Sequence, residues 1–379
     1  MTAGRLRVAL VGCGQIADAH LGEIRKLPVA EVVAVCDRER DLASQAAARF
    51  QVAKVFDNLD EMLASTRPDV VHITTPPHTH KPVAIQVLRA GAHAYVEKPF
   101  AIDLAETDEV LAVAESSGRL VCIGHDQLFD PAWEECRDLF RRGLLGRIVH
   151  IDAVLGYDFT GPFGSLVSTD RGHWVHRLPG GIFHNTISHA VYKIAEFLPD
   201  ENPQIQGFWV PSAESGGVAT ELRILLRGAE TTASLVSSCA ARPVQRVTRV
   251  YGTLQSVEVD LDGRLVRSYP APKLRGALSR IEIPYRHLRE ARRHFWRAVR
   301  RFLKNEIHYF TGMRNLFEQF YRAIIEQGPP PIPYREIRRV TAIMDGIFVA
   351  CREAPRDEPV ALVPGDDAGQ PHQFCSASG

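Results

Sequence analysis

The apolar run Val8-Ala9-Leu10-Val11 passes directly into Gly12-Cys13-Gly14-Gln15-Ile16-Ala17, and an amphipathic pattern follows. A short continuous apolar run reads as a strand buried on both faces, which only a covered sheet provides. The glycines then make a G-x-G-x-x-A turn between strand and helix. Gly12 permits the tight turn, Gly14 admits a close-lying pyrophosphate, and Ala17 lets the helix pack on the strand. The backbone N–H groups of Gln15 and Ile16 open the helix, where an anion is favoured. Asp37 ends the second apolar run, 23 residues after Gly14, where a carboxylate binds the ribose hydroxyls of a dinucleotide. This order of parts predicts an NAD(P) site. Asp37 repels a 2′-phosphate and Arg38 attracts one; NAD is favoured and NADP stays open.

The same texture continues to about residue 125. Apolar runs at Leu6–Val11, Val32–Cys36, Val70–Ile73, His93–Val96 and Leu120–Ile123 alternate with helical periods at Gln15–Lys26, Leu42–Phe50, Leu59–Ser65, Lys81–Ala90 and Leu104–Ser116. Right-handed crossovers turn this alternation into a doubly wound parallel sheet. After Gly124 the pattern changes. A helix at Pro131–Arg142 precedes a strand at Ile148–Leu155, a loop-like stretch Tyr157–Pro179 and a helix at Ile182–Phe197. Leu222, Ile224 and Leu226 then alternate with polar residues, as do Val257, Val259 and Leu261. Period-two alternation predicts an antiparallel sheet with one buried and one polar face. Helices are expected at His287–Lys304, Asn315–Glu326 and Tyr334–Arg352. The expected organisation is a nucleotide-binding domain over 1–125, a second α/β domain over 126–353 and a loose tail over 354–379.

Lys+Arg and Asp+Glu number 45 each, which argues against a globally basic nucleic-acid binder. No apolar run is long enough to span a bilayer, and the N-terminal stretch lacks the pattern of a secretory signal. Seven scattered cysteines without a C-x-x-C argue against zinc ribbons and fit a reducing, cytoplasmic setting. No histidine spacing suggests a catalytic metal.

Four motifs occur in one order: the glycine turn, Thr75-Pro76-Pro77-His78-Thr79-His80, Glu97-Lys98-Pro99, and Gly180-Gly181 before His189. Together they resemble the Gfo/Idh/MocA oxidoreductases, over about residues 5–350. The resemblance implies a Rossmann domain joined to an α+β domain with a large, open, mostly antiparallel sheet. It implies hydride transfer between NAD(P) and a carbinol carbon of a sugar, sugar derivative (nucleotide sugars included) or cyclitol. An NAD-dependent glycosidase or a cofactor-sensing regulatory protein of the same superfamily are the rival readings. Thr75, His80, Glu97 and Lys98 are expected beside the cofactor. Lys98, at the carboxyl end of a parallel strand and oriented by Glu97, is expected to handle the substrate proton. His189 is the second acid/base candidate. Asn185 stands where the family usually has an aspartate, so it can orient a hydroxyl but not serve as a base. His125, Gln127, Trp174, His176 and Arg177 are candidate substrate contacts. The open sheet implies a homodimer or homotetramer.

From Arg264 to Lys304 there are 13 Lys/Arg against two acids, Glu282 and Glu290. Leu288, Ala291, Phe295, Val299 and Phe302 recur at helical spacing, widened by Trp296 and Leu303. The ordinary reading is a stripe facing the core or another subunit, with a solvated basic face. A membrane-surface helix over 285–304 and a contact to an anionic substrate are the alternatives.

Overall fold

The computed structural model describes residues 4–158, 161–170, 172–211, 219–303 and 310–353. The expected tail over 354–379 lies outside the described residues.

The first half alternates strand and helix: β1 (Leu6–Val11), α1 (Ala17–Ile24), β2 (Ala30–Cys36), α2 (Arg40–Phe50), β3 (Val55–Phe56), α3 (Leu59–Thr66), β4 (Val70–Ile73), α4 (His80–Arg89), β5 (His93–Val96), α5 (Leu104–Ser117) and β6 (Val121–Ile123). The strands are all parallel, in the order β3-β2-β1-β4-β5-β6. The reversal between β1 and β4 opens a crevice at the carboxyl ends of the strands, where ligands of such sheets bind. Every residue of β4 is buried, His72 among them. The two-residue β3 is too short to show a period, and it escaped the sequence pattern.

The second half begins with α6 (Pro131–Arg141), capped by the Asp130 carboxylate, and β7 (Ile148–Gly156). The stretch expected as a loop holds α7 (Pro162–Thr169) and a 3-10 turn at Trp174–Arg177. The expected helix over Ile182–Phe197 is two: α8 (Gly181–Thr186) and α9 (Ser188–Phe197). Six strands follow: β8 (Gln204–Pro211), β9 (Ala219–Arg227), β10 (Thr232–Ser238), β11 (Arg246–Gly252), β12 (Gln255–Asp260) and β13 (Leu265–Pro270). Together with β7 they form a seven-stranded sheet ordered β13-β12-β11-β7-β10-β9-β8. Only β7 and β10 run parallel; the other pairs are antiparallel. Leu222, Ile224 and Leu226 of β9 point into the core and Leu225 points to solvent, the alternation expected of a sheet open on one face.

Three helices close the described chain: α10 (Ala277–Leu303), α11 (Thr311–Ile325) and α12 (Tyr334–Glu353). Helix α10 begins ten residues before the expected start and runs through Pro284. Helix α12 crosses to both layers, packing on β8, α5 and α9. Helix α11 returns to the first sheet. Its Phe317, Phe320 and Tyr321 are wholly buried there, with the Phe317 ring 4.8 Å from that of Tyr95 on β5. The chain that leaves the first sheet near residue 125 therefore comes back to cover it.

Candidate functional site

The glycine turn is shaped by two different constraints. Gly12 has φ +97°, and a Cβ there would lie 2.6 Å from the Thr75 amide nitrogen and 2.7 Å from the Thr74 carbonyl carbon. The turn passes too close to the end of β4 for any side chain. A Cβ at Gly14 would meet nothing within 4 Å and would project toward the crevice that Gly14 lines. Helix α1 has no side-chain cap at its N-terminus. Unpaired N–H groups beside open space suit an anion, so the cradle fits the pyrophosphate of a dinucleotide. The Asp37 carboxylate accepts from the Cys13 amide at 2.6 Å and from the Glu39 amide at 2.9 Å, which fixes its orientation at the crevice edge. Arg38 is almost fully exposed and pairs with Glu39 at 3.3 Å. Gln15, Ile16 and Thr75 also line the crevice.

Strand β5 delivers Glu97 and Lys98 to the same crevice. One Glu97 oxygen accepts from the Lys98 amide at 3.2 Å. The other meets His20 Nε2 at 2.9 Å. His20 Nδ1 lies 2.9 Å from His72 Nδ1, and His72 Nε2 lies 2.8 Å from the Tyr321 hydroxyl. A buried polar chain thus runs from Glu97 under the sheet to α11. Burial alone would raise the Glu97 pKa, but the His20 hydrogen bond and charge and the Lys98 ammonium bring it below its ordinary value. His20 and His72 escaped the sequence reading. The signal was a histidine within Val70-Val71-His72-Ile73, a strand otherwise read as apolar.

Lys98 Nζ donates to the Asn185 carbonyl at 3.1 Å. Asn185 lies in the last turn of α8, where carbonyls lack intrahelical donors and a cation is favoured. The contact is made by the backbone, so it does not depend on the residue type at 185. The break between α8 and α9 separates Asn185 from His189, and both line the crevice. His189 Nδ1 is 2.9 Å from the Tyr192 hydroxyl. Desolvation first, then Lys98, Lys193 and Arg246, hold the His189 pKa well below its ordinary value. These surroundings favour the neutral ring.

Three expected contacts lie elsewhere. His80 is buried, with its ring nitrogens 2.7 Å from the Thr75 carbonyl and 2.8 Å from the Pro99 carbonyl. Burial lowers its pKa, and a neutral ring donates to one carbonyl at a time. Rather than facing the cofactor, it ties the Thr75 turn to the Lys98-Pro99 turn. His176 turns away to the Val167 carbonyl at 2.8 Å. His125 is buried against Tyr192, with ring centroids 4.4 Å apart, and borders a separate cleft of about 810 Å³. Its burial lowers its pKa to about 3. Gln127, Trp174 and Arg177 do line the crevice.

Two groups the sequence reading passed over sit beside them. Asp126, between His125 and Gln127, lines the crevice with a buried oxygen that has no protein partner. Burial, then the Glu97 charge, pushes its pKa up to about 7. Lys193, one helical turn after His189, is buried and donates to Gln127 Oε1 at 3.1 Å. Burial, then Arg246, lowers its pKa to about 7. Two opposite-sign groups brought toward neutrality are the pattern of proton-handling sites.

The crevice is continuous from the glycine turn to these groups, at about 1530 Å³. Ordinary ligand pockets are roughly 300–1,000 Å³, so this one has room for more than one small molecule. Arg246, Arg264, Arg297 and Arg301 line it too, as does Asp262, which pairs with Arg246 at 3.5 Å. Among the described residues, no cluster of three or more His, Cys, Asp or Glu is placed to hold a metal.

Residues 6–125 match the Gfo/Idh/MocA family, described as an oxidoreductase family with an NAD-binding Rossmann fold. The match covers the first sheet and its helices. It is 32% identical to D-glucoside 3-dehydrogenase of Escherichia coli (strain K12) over 149 residues, 39% of this chain and 42% of that protein. It is 31% identical to scyllo-inositol 2-dehydrogenase (NADP(+)) of Bacillus subtilis (strain 168) over 132 residues, 35% of this chain and 40% of that protein. The matched stretch thus spans under half the length of these curated relatives. Over nearly the whole chain the likeness is one of fold. The WlbA dehydrogenase from Bordetella pertussis, solved with NADH and UDP-GlcNAcA, superposes with a TM-score of 0.76 at 20% identity, covering 93% of this chain and 97% of that one. GenD2 from gentamicin A biosynthesis, solved with NAD, gives a TM-score of 0.73 at 19% identity, covering 94% and 96%.

Proposed function

We propose that this protein is an NAD-dependent dehydrogenase that oxidises, or in reverse forms, a carbinol carbon of a sugar-class substrate. One observation carries the reading: a single crevice joins the Gly14 cradle to Lys98, Asn185 and His189. The curated relatives, named as a glucoside and an inositol dehydrogenase, support the same reaction class.

When bound, the nicotinamide supplies the hydride acceptor or donor. The Gly14 turn and the α1 N-terminus would hold the pyrophosphate, and Asp37 would take the ribose hydroxyls. Asp37 flanked by Glu39 favours NAD, because a 2′-phosphate would face two carboxylates while Arg38 is already paired. Lys98, tethered at Asn185, binds the reacting hydroxyl through its ammonium. His189 exchanges the proton at Nε2. The Tyr192 hydroxyl can accept from or donate to Nδ1, so it supports either tautomer and either direction. Asp126, its pKa pushed up to about 7 and one oxygen without a protein partner, adds a carboxyl to the crevice that Asn185 does not provide.

The four arginines lining the crevice, of which Arg246 also meets Asp262 and Arg297 also meets Glu135, leave a positive excess that favours a substrate bearing a carboxylate or phosphate, nucleotide sugars included. Phe208, Val210 and Leu225 are exposed on the outer face of the second sheet, which supports pairing with a second copy there. Among the described residues no helix is long and apolar enough to cross a membrane.

The test is a screen of purified protein with NAD and NADP against sugars, sugar acids, inositols and nucleotide sugars, followed at the nicotinamide absorbance. Net NADH formation with one class, lost in Lys98→Met, is the expected result. Release of free sugar without net NADH would instead mark a glycosidase. NAD binding without turnover of any class would mark a regulatory protein.

A further inference from the structure

Helix α10 is inside out. Its inner stripe is polar: Glu282, Arg286, Glu290, His294, Arg297 and Arg301 recur at spacings of three and four and turn toward the protein. His294 Nε2 contacts the Val266 carbonyl of β13 at 2.8 Å, Arg286 donates to the Pro270 carbonyl at 3.2 Å, and Arg297 pairs with Glu135 of α6 at 2.7 Å. The apolar stripe faces outward. Ile281, Tyr285, Leu288, Phe295, Trp296 and Phe302 are 56–72% exposed. Of the ordinary expectation, a stripe facing the core or another subunit, the core-facing half is therefore not what the fold contains.

An amphipathic helix gains stability by taking its apolar side out of water. Here the 27-residue helix lays that side along about 40 Å of surface. The charge around it identifies what covers it. Both carboxylates of the helix, Glu282 and Glu290, lie on the inner stripe. The exposed charged residues of the helix are arginines alone: Arg280, Arg289, Arg292, Arg293 and Arg300. Pairing this face with the same face of a second copy would set arginines against arginines. An anionic bilayer surface instead receives the aromatic and aliphatic side chains between headgroups and pairs the flanking guanidinium groups with lipid phosphates.

We propose that α10 is an in-plane anchor that binds this protein to membranes rich in anionic lipid. The inference is independent of the proposed redox reaction, and none of the outward residues named lines the crevice.

The experiment is sedimentation of the full-length protein with vesicles of phosphatidylcholine alone or mixed with phosphatidylglycerol. The expected result is salt-sensitive binding to the mixed vesicles only. A blue shift in tryptophan emission should accompany it and be missing in Trp296→Phe. Arg289→Gln with Arg292→Gln should weaken binding roughly fivefold per arginine. The triple change Leu288→Ser, Phe295→Ser and Phe302→Ser should abolish it. Equal binding to both vesicle types, or full binding by the triple variant, would overturn the proposal. So would a wild-type dimer that the triple variant splits in light scattering while neither binds lipid; that face would then join copies of the chain.

Discussion

Gly12 and Gly14 stand two residues apart and should fail in opposite ways. Gly12→Ala forces a side chain into left-handed backbone, which costs roughly 1–2 kcal/mol. It also drives a methyl to within 2.6–2.8 Å of Thr75 and Thr74 atoms, two of them backbone. Overpacking of that kind adds about 1–3 kcal/mol. The sum of about 2–5 kcal/mol corresponds to a Tm loss of about 4–10 °C, at roughly 2 °C per kcal/mol for a large chain. Gly14→Ala meets no atom of the protein within 4 Å, so its stability should stay within about 0.5 kcal/mol of wild type. Its methyl occupies the space that a pyrophosphate takes. The same overpacking cost of about 1–3 kcal/mol then falls on binding, a loss of roughly 5- to 150-fold in NAD affinity. Thermal unfolding without ligand and a fluorescence titration with NAD measure the two effects separately. Wild-type NAD affinity in Gly14→Ala would refute the cradle, and equal destabilisation by both changes would refute the packing argument for Gly12.

Lys98→Met should lower kcat by about 10²–10⁴ while NAD still binds, since the lysine contacts α8 rather than the glycine turn; unchanged turnover would remove it from the reaction. Asp126 has a folded pKa of about 7, above its ordinary 3.8, so the folded state binds more protons in that window and stability falls as pH rises through it. Asp126→Asn should flatten this slope between about pH 4 and 7 and be the more stable protein above pH 7; parallel denaturation curves across that range would contradict it. Asp37→Ser should shift the kinetic preference from NAD toward NADP, read as the ratio of kcat/KM values with each. It should also lower Tm, because Asp37 accepts from the Cys13 and Glu39 amides.

The site was legible in uneven parts. Glycines, Asp37 and Lys98 announce themselves because each serves a local geometry: a turn, a strand end, a strand-to-helix junction. Asp126 was overlooked beside His125, although Asp126 reaches the crevice and His125 does not. Adjacent residues in a 3-10 turn point in different directions, and only the packing of Tyr192 decides which is buried away. His80 matched a motif and yet serves as a backbone clasp, since its two carbonyl partners come from turns whose meeting depends on the fold.

By itself the sequence determined the first sheet. Its parallel strands are buried on both faces, so each reads as an apolar run whatever its neighbours are. It also determined the alternation of β9 and β12 and the existence of a basic amphipathic helix. Tertiary structure alone decided the rest. The Glu97–His20–His72–Tyr321 chain joins residues from four elements, and α11 covers a sheet that the chain had left long before. Amphipathicity states that a helix has two sides but not which side is turned inward. In α10 the polar stripe meets Glu135 and the β13 carbonyls, so the apolar stripe is left to the outside. Which side faces inward depends on partners distant in sequence, and a local periodicity holds no information about them.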